Sequence, residues 1–264
     1  LKGMMGISFL AKACTWLFYS LLLYIFFAGG AGNFILKHAF LALGKMVEHF
    51  PTMATYTDPM GENHFPENWT IFYWAYWMVW CVAAPFFIGS ISKGRTIRQT
   101  ILGGYGFGVG STFVSFLVLG NYSLSLEVFH KLPVLKIYES SQSLYETIVK
   151  CLEVLPLAPL VLLLLLLTMF AFYATSFDSI ALVASQYSYK SLAEGEEPGK
   201  KVQGFWAILL ILLPLALVFS ESSMVNLQSV SIIAAFPIGF VILLISFSFL
   251  KDAKKYMEEQ KGTE

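Results

Sequence analysis

The sequence predicts an all-α integral membrane protein. Of its 264 residues, 57% are hydrophobic and only 13% are charged, which is about half the charged share of a typical soluble domain. The apolar residues are grouped in several runs of about 18 residues or more, long enough to cross a bilayer as helices. Lys and Arg together number 17, as do Asp and Glu, so the net charge favours neither a nucleic acid nor an acidic partner.

Six transmembrane helices are predicted, separated by polar or glycine-rich segments. The first ends at the glycine-rich residues 29–32, because such a run breaks a helix. The fourth begins near Pro156 and Pro159, since proline is favoured in the first turn of a helix. The six predicted spans cover about residues 6–29, 69–89, 101–121, 156–185, 204–220 and 227–250.

Two further helices are predicted outside the hydrocarbon core of the bilayer. Residues 33–50 are amphipathic and interrupted by charged side chains, which is typical of a helix that lies in the membrane interface. Residues 138–153 are predicted to form a similar short helix outside the membrane.

Basic side chains cluster in three loops that fall on the same side of the predicted membrane. These loops follow the second, fourth and sixth spans, and the positive-inside rule assigns them to the cytoplasm. Both ends of the chain are therefore predicted to be cytoplasmic. The clustered residues are Lys93, Arg95, Arg98, Lys190, Lys200, Lys201, Lys251, Lys254 and Lys255.

Residues 69–80 carry seven aromatic side chains in twelve positions and no charge. This density of rings exceeds what a core helix needs, and it is typical of a site that surrounds a quaternary ammonium group. Three desolvated contacts of up to roughly 2 kcal/mol each would give about 6 kcal/mol, an affinity between millimolar and micromolar. The residues that share one helical face are Trp69, Tyr73, Trp77 and Trp80, and Tyr76 flanks that face.

An aromatic belt at the membrane interface is the alternative interpretation of these rings. It explains Trp69 well, because this residue directly follows the polar residues 66–68. It explains Trp77 and Trp80 poorly, because they lie two to three turns deeper in the span.

The fourth span contains a second group of polar side chains, within residues 172–179. Hydroxyls and an acid inside the bilayer are costly unless they are paired, which favours a functional role for Thr175, Ser176 and Asp178. The alternative is that both hydroxyls bond back to carbonyls of their own helix. Besides the distant Lys12, the sequence offers Asp178 no partner inside a span, so a structural hydrogen-bonding role is predicted for it.

No pattern typical of an enzyme or of a metal centre stands out in the sequence. The glycine-rich residues 103–110 lack the preceding strand and the Lys-Ser/Thr ending of a nucleotide-binding loop, and their spacing favours close helix packing. The histidines and cysteines have no metal-ligand spacing, and the three cysteines predict no disulfide framework. The chain is therefore predicted not to be an enzyme.

The aromatic segment and the basic loop after it carry a specific family resemblance. The run Trp-Thr-x-Phe-Tyr-Trp-Ala-x-Trp-x-x-Trp at 69–80 and the run Ser-Lys-Gly-Arg-Thr-Ile-Arg at 92–98 resemble the signature of the betaine/choline/carnitine transporter (BCCT) family. Other motifs resemble the carnitine-exchanger branch of that family. They are Asp58-Pro59, Phe65-Pro66, Leu119-Gly120-Asn121, Gly-Glu-Glu-Pro at 195–198 and Ser-Phe-Leu-Lys-Asp-Ala-Lys at 248–254.

The resemblance covers essentially the whole chain, but only the C-terminal half of the family's twelve-helix, inverted-repeat (LeuT-like) fold. It implies that residues 1–32 are the last helix of the first repeat and that residues 69–250 are the second repeat, with five transmembrane helices. Residues 33–68 are then the interfacial helix and an external loop, and residues 251–264 are a cytoplasmic tail. On this basis the sequence is expected to be a piece of a longer protein.

The resemblance also implies which residues bind substrate. The family builds part of its substrate cage from three ring positions that match Tyr76, Trp77 and Trp80, and Tyr76 stands where the family usually has Trp. Trp69 matches a position of an outer, transient substrate site. The family usually places proline two residues after the last ring, whereas this chain has Pro85, so a break in the helix is expected about a turn deeper.

Sodium binding is implied by the polar group of the fourth span. Sodium-coupled members of the family carry Phe-x-x-Thr-Ser-x-Asp-Ser there, which this chain matches with Phe172, Thr175 and Ser176 at the ion-binding positions. Sodium-independent exchangers lose the Thr-Ser pair and place a basic side chain nearby. Lys12, in the first span, is a candidate for such a built-in cation, or it extends to the cytoplasmic interface.

The resemblance implies a secondary transporter that moves a small quaternary ammonium zwitterion, such as glycine betaine or carnitine, across the plasma membrane. Na⁺ is the implied coupling ion, and no other metal or cofactor is implied. The implied partners are the lipid bilayer and further copies of the chain in a homotrimer, with residues 33–50 at the contacts. Two alternatives stay open, a sodium-independent antiporter of the carnitine/butyrobetaine type and a non-transporting fragment of such a protein.

Overall fold

The computed structural model describes most of the chain, and within the described residues every regular element is a helix and there is no strand. This confirms the prediction of an all-α protein. The described residues are 3–61, 64–82, 84–191, 196, 198–219 and 224–261.

The helices follow one another with short connections. A π-helical turn, Pro66–Ile71, directly precedes the fourth α-helix. In chain order the α-helices are α1 (Gly3–Ala28), α2 (Gly32–Glu48), α3 (Phe50–Ala54), α4 (Phe72–Trp80), α5 (Ala84–Ile91), α6 (Ile97–Val128), α7 (Val134–Ser141), α8 (Leu144–Glu153), α9 (Ala158–Tyr187), α10 (Lys200–Phe219) and α11 (Met224–Lys261).

One compact unit consists of Leu1–Ala54 and Gly94–Ser179. Its buried core is formed by apolar side chains of α1, α2, α6, α8 and α9. A hydrogen bond supports this core, because the buried Tyr122 hydroxyl donates to the carbonyl of Cys151 at 3.1 Å and so joins α6 to α8. The core residues are Leu21, Ile25, Ala31, Ile35, Tyr122, Leu126, Cys151, Leu152, Leu155 and Val161.

The turn between α1 and α2 lies where the glycine-rich run predicts it. Gly30 has φ +65°, the left-handed conformation that often ends a helix and that glycine adopts without strain. Gly29 is required for a different reason. A Cβ atom at Gly29 would lie only 2.7 Å from the ring of Tyr122, so α1 can approach α6 this closely only without a side chain there.

The segment between α6 and α9 differs from the sequence prediction. One short helix was expected over residues 138–153, but the structure has two, α7 and α8. The reason is local, because Gln142 adopts a left-handed φ of 49° and ends α7. Ser143 then caps α8, with its hydroxyl accepting from the N–H of Glu146 at 3.3 Å.

The second compact unit consists of Thr55–Lys93 and Ile180–Glu264. Within it α4 packs along α11. Small residues make this approach possible, since Ala75 and Ala235 are both buried and Gly239 faces the sulfur of Met78. The α11 contact therefore includes the side of α4 that carries Ala75 and Met78.

Four helices of the described chain are long and apolar enough to cross a membrane. They overlap the first, third, fourth and sixth predicted spans, as expected for a multi-pass membrane protein. The fifth predicted span corresponds to α10, and the second is divided between the π-helical turn, α4 and α5. The four are Ser8–Ala28, Ile97–Val128, Ala158–Tyr187 and Ser229–Glu259.

Candidate functional site

The aromatic segment begins with a stacked pair of rings. Trp69 lies in the π-helical turn, and its ring stacks on that of Tyr73 with centroids 6.0 Å apart and an interplanar angle of 20°. Tyr73 in turn contacts Phe72 at 5.6 Å. Trp69, predicted for an outer substrate site, and Tyr73, predicted on the same helical face, are therefore neighbours in the structure.

Tyr76 is the centre of the deeper group of rings. Its ring meets that of Trp77 at 5.8 Å and that of Trp80 at 6.2 Å, both in edge-to-face geometry. Phe72 contacts Tyr76 at 5.9 Å and so connects the deeper group to the stacked pair. The structure thus connects the five predicted ring residues through Phe72 into one series along the π-helical turn and α4. We call this series the ring ladder: Trp69, Tyr73, Phe72, Tyr76, Trp77 and Trp80.

The ring ladder offers open ring surface. Trp77 is 61% exposed, Tyr76 is 38% exposed and Trp80 is half-buried. Uncovered π-faces attract a cation that has no hydrogen-bond donors. Trp74, on the same helix and 69% exposed, makes no ring contact with another aromatic side chain of the described segments.

The second predicted group of site residues lies on α9, in the first unit. The Thr175 hydroxyl donates to the carbonyl of Ala171 at 2.7 Å, as one of the two sequence interpretations expects. Because the hydroxyl donates its proton to its own helix, its oxygen lone pairs stay available to a cation. Phe172 packs edge-to-face on Phe18 of α1, with centroids 5.7 Å apart, and Ser176 is exposed.

Two charged residues of the first unit are not joined to these hydroxyls. Lys12 is exposed on α1, and within the described residues it forms no ion pair. Asp178 is half-buried on α9, and no hydrogen bond to its carboxylate occurs in the part of the chain that the structure describes. The structural hydrogen-bonding role predicted for Asp178 therefore has no partner there.

The ring ladder and the α9 hydroxyls belong to different compact units. Among the described residues, no three His, Cys, Asp or Glu side chains are grouped as metal ligands.

The roles of two residues were not identified from the sequence. Phe72 connects both parts of the ring ladder, and its spacing of four from Tyr76 was an available signal. Tyr187 donates its hydroxyl to the carbonyl of Val82, two residues after the ladder, at 2.9 Å. No local pattern marks this bond, because 105 residues separate the two positions.

Two comparisons show which known proteins this chain is similar to. A curated carnitine transporter from Acinetobacter baumannii is 31% identical over 223 residues, which cover 84% of this chain and 40% of that protein. The chain thus spans about two fifths of the length of this relative. The model of the betaine/carnitine/choline family transporters (BCCT) matches residues 1–258. The chain belongs to the BCCT family, whose members are transporters and not enzymes.

Proposed function

We propose that the full-length protein carrying this chain is a secondary transporter for a small quaternary ammonium zwitterion such as glycine betaine or carnitine. The observation that carries the proposal is the contact of Tyr76 with both Trp77 and Trp80, with open ring surface on α4. A trimethylammonium group has no N–H to donate, so ring faces are its natural ligands. The family membership and the similarity to a carnitine transporter support the same substrate class.

The expected affinity suits a carrier. Each desolvated cation–π contact contributes up to about 2 kcal/mol, so three rings give roughly 6 kcal/mol and a dissociation constant between millimolar and micromolar. Tyr is a weaker cation–π partner than Trp, so Tyr76 is expected to bind the cation more weakly than a Trp at that position would. A transporter must release its cargo, and this range permits release.

We further propose that Na⁺ couples transport through Phe172, Thr175 and Ser176. Support comes from the Thr175 hydroxyl, whose proton is donated to Ala171 while its oxygen keeps free lone pairs. The second candidate is sodium-independent antiport of two quaternary ammonium substrates. It is favoured by the flanking motifs of the carnitine-exchanger type and by the charge of Lys12 on α1.

The architecture proposed for the full-length protein follows from the family. In it, residues 1–32 end a first inverted repeat, residues 69–250 form a second repeat with five transmembrane helices, and the substrate and ion sites lie between the repeats. Residues 33–68 hold the interfacial helix and an external loop, and residues 251–264 are a cytoplasmic tail. We propose a homotrimer in the plasma membrane, with α2 at the subunit contacts and both ends of this chain in the cytoplasm.

Uptake by proteoliposomes containing the full-length protein tests this function. Radiolabelled glycine betaine and carnitine are offered with an inward sodium gradient, with equal sodium on both sides, and with substrate preloaded inside. We expect the gradient to raise the initial uptake rate without preloading. Uptake that requires substrate preloaded inside the vesicles and does not depend on the sodium gradient would establish antiport instead. Uptake under none of these conditions would mean that the protein is not such a transporter.

A further inference from the structure

The helix that carries the ring ladder is interrupted directly after its last ring. α4 ends at Trp80, a turn occupies Cys81 and Val82, and α5 begins at Ala84. The last carbonyls of a helix have no donor within that helix. Pro85, in the first turn of α5, has no N–H, so the usual bond from residue 85 to residue 81 cannot form. The interruption is therefore a place where a donor from elsewhere in the chain can bind a backbone carbonyl.

Tyr187 donates into this interruption, to the carbonyl next to that of Cys81. Its hydroxyl donates to the carbonyl of Val82 with the two oxygens 2.9 Å apart. Tyr187 is the last residue of α9, and both residues belong to the second unit. One side chain thus reaches the turn between α4 and α5.

The residues after Tyr187 are themselves held in place within the second unit. Nε1 of Trp206, on α10, donates to the hydroxyl of Ser188 at 2.8 Å. The N–H of Gly199 donates to the hydroxyl of Tyr189 at 3.1 Å. The Trp206 bond therefore fixes the end of α9 to α10, and α9 presents the Tyr187 hydroxyl from a fixed position. The Tyr189 bond joins two residues that lie outside both helices.

Backbone hydrogen bonds couple Val82 to the ring residues. The N–H of Cys81 donates to the carbonyl of Trp77 at 3.1 Å, and the N–H of Val82 donates to that of Val79 at 3.2 Å. A displacement of Val82 would therefore move the last turn of α4, which carries Trp77 and Trp80.

We propose that Tyr187 is a positioning residue for substrate recognition, because its hydrogen bond to the Val82 carbonyl fixes the interruption after α4 and thereby the direction of Trp77 and Trp80. The inference rests on the proposed function, in which these two rings face the quaternary ammonium group. Tyr187 itself needs no contact with substrate for this role.

The variant Tyr187→Phe in the full-length protein tests the proposal, because it keeps the ring and removes the donor. Tyr189→Phe is the matched control, since it removes a hydroxyl two residues away that bonds to Gly199 and not to the interruption. We expect Tyr187→Phe to raise the KM for glycine betaine or carnitine uptake about 2- to 10-fold. This is the change in affinity that corresponds to the net free energy of one hydrogen bond. The maximal rate per molecule of inserted protein should change less than KM, and Tyr189→Phe should leave KM at the wild-type value.

A second readout does not depend on transport. Cys81 is exposed and lies in the interruption, whereas Cys14 and Cys151 are buried. The alkylation rate of Cys81 by N-ethylmaleimide, followed by mass spectrometry of its peptide, reports how firmly the interruption is held. We expect faster alkylation in Tyr187→Phe than in the wild type or in Tyr189→Phe.

The two readouts separate the positioning role from the proposed function. If Cys81 reacts faster in Tyr187→Phe while the wild type neither transports nor binds the two substrates, the bond holds the interruption and the proposed function is wrong. If the wild type transports and Tyr187→Phe changes neither the alkylation rate nor KM, the positioning role is overturned. Faster alkylation with an unchanged KM would also overturn it, because the rings would then be independent of the interruption.

Discussion

Replacing Trp77 with alanine in the full-length protein is expected to raise the KM for glycine betaine or carnitine about 30-fold. This residue contributes the most exposed ring of the cage predicted from the sequence, at 61% exposure, and it lies beside Tyr76 at 5.8 Å. The loss of one desolvated cation–π contact of about 2 kcal/mol corresponds to a factor of about 30 in affinity. Initial uptake rates in proteoliposomes, measured over a range of substrate concentrations, give this ratio.

The matched control is Trp74→Ala, because it removes the same side chain from the same helix outside the ring ladder. Trp74 is 69% exposed, so its removal opens no cavity in the core, and its effect on KM should stay within about 2-fold. Trp77→Phe should fall between the wild type and Trp77→Ala, since a phenyl ring keeps a weaker π-face. Equal effects of Trp77→Ala and Trp74→Ala would show that the rings act only through membrane anchoring.

Replacing Thr175 with valine is expected to raise the sodium concentration for half-maximal uptake about 10-fold or more. Valine keeps the shape of threonine and removes the oxygen that is proposed to bind Na⁺. The loss of a polar ligand to a charged group costs about 1.5–3 kcal/mol, or roughly 10- to 100-fold in ion affinity. Initial rates at fixed substrate and varied sodium measure this shift, with an impermeant salt holding the ionic strength constant.

Thr168→Val is the matched control for Thr175→Val. The Thr168 hydroxyl also donates to the carbonyl four residues earlier in α9, at 2.7 Å, so both variants lose the same type of hydrogen bond within the helix. Thr175→Ser restores the hydroxyl and should recover most of the sodium dependence. Unchanged sodium activation in Thr175→Val would make its hydroxyl purely structural and would favour the antiport alternative.

Local patterns in the sequence predicted much of the fold. The glycine run at 29–32 marks the end of α1, and the amphipathic period over 33–50 corresponds to α2, Gly32–Glu48. The division of residues 134–153 into α7 and α8 was missed, because it depends on the left-handed Gln142 and on the cap at Ser143. The helical periodicity of apolar residues cannot reveal a change of backbone conformation at a single residue.

The candidate site was predictable to the extent that it lies on one helix. The spacing of Trp77 and Trp80 placed them on one face, and the structure adds Tyr76 as the ring that touches both. The hydrogen bond from Tyr187 to Val82 was not predictable, because it joins positions 105 residues apart through tertiary packing.

The most direct test of the account compares glycine betaine with tert-butylacetate, in which a carbon atom replaces the quaternary nitrogen and the size and carboxylate are kept. Dissociation constants for both ligands are measured on the full-length protein by tryptophan fluorescence titration. If the rings of α4 recognise the cation, glycine betaine binds at least about 30-fold more tightly, and Trp77→Ala reduces that ratio. Equal affinity for the zwitterion and for its carbon analogue, which lacks the cation, would contradict the account.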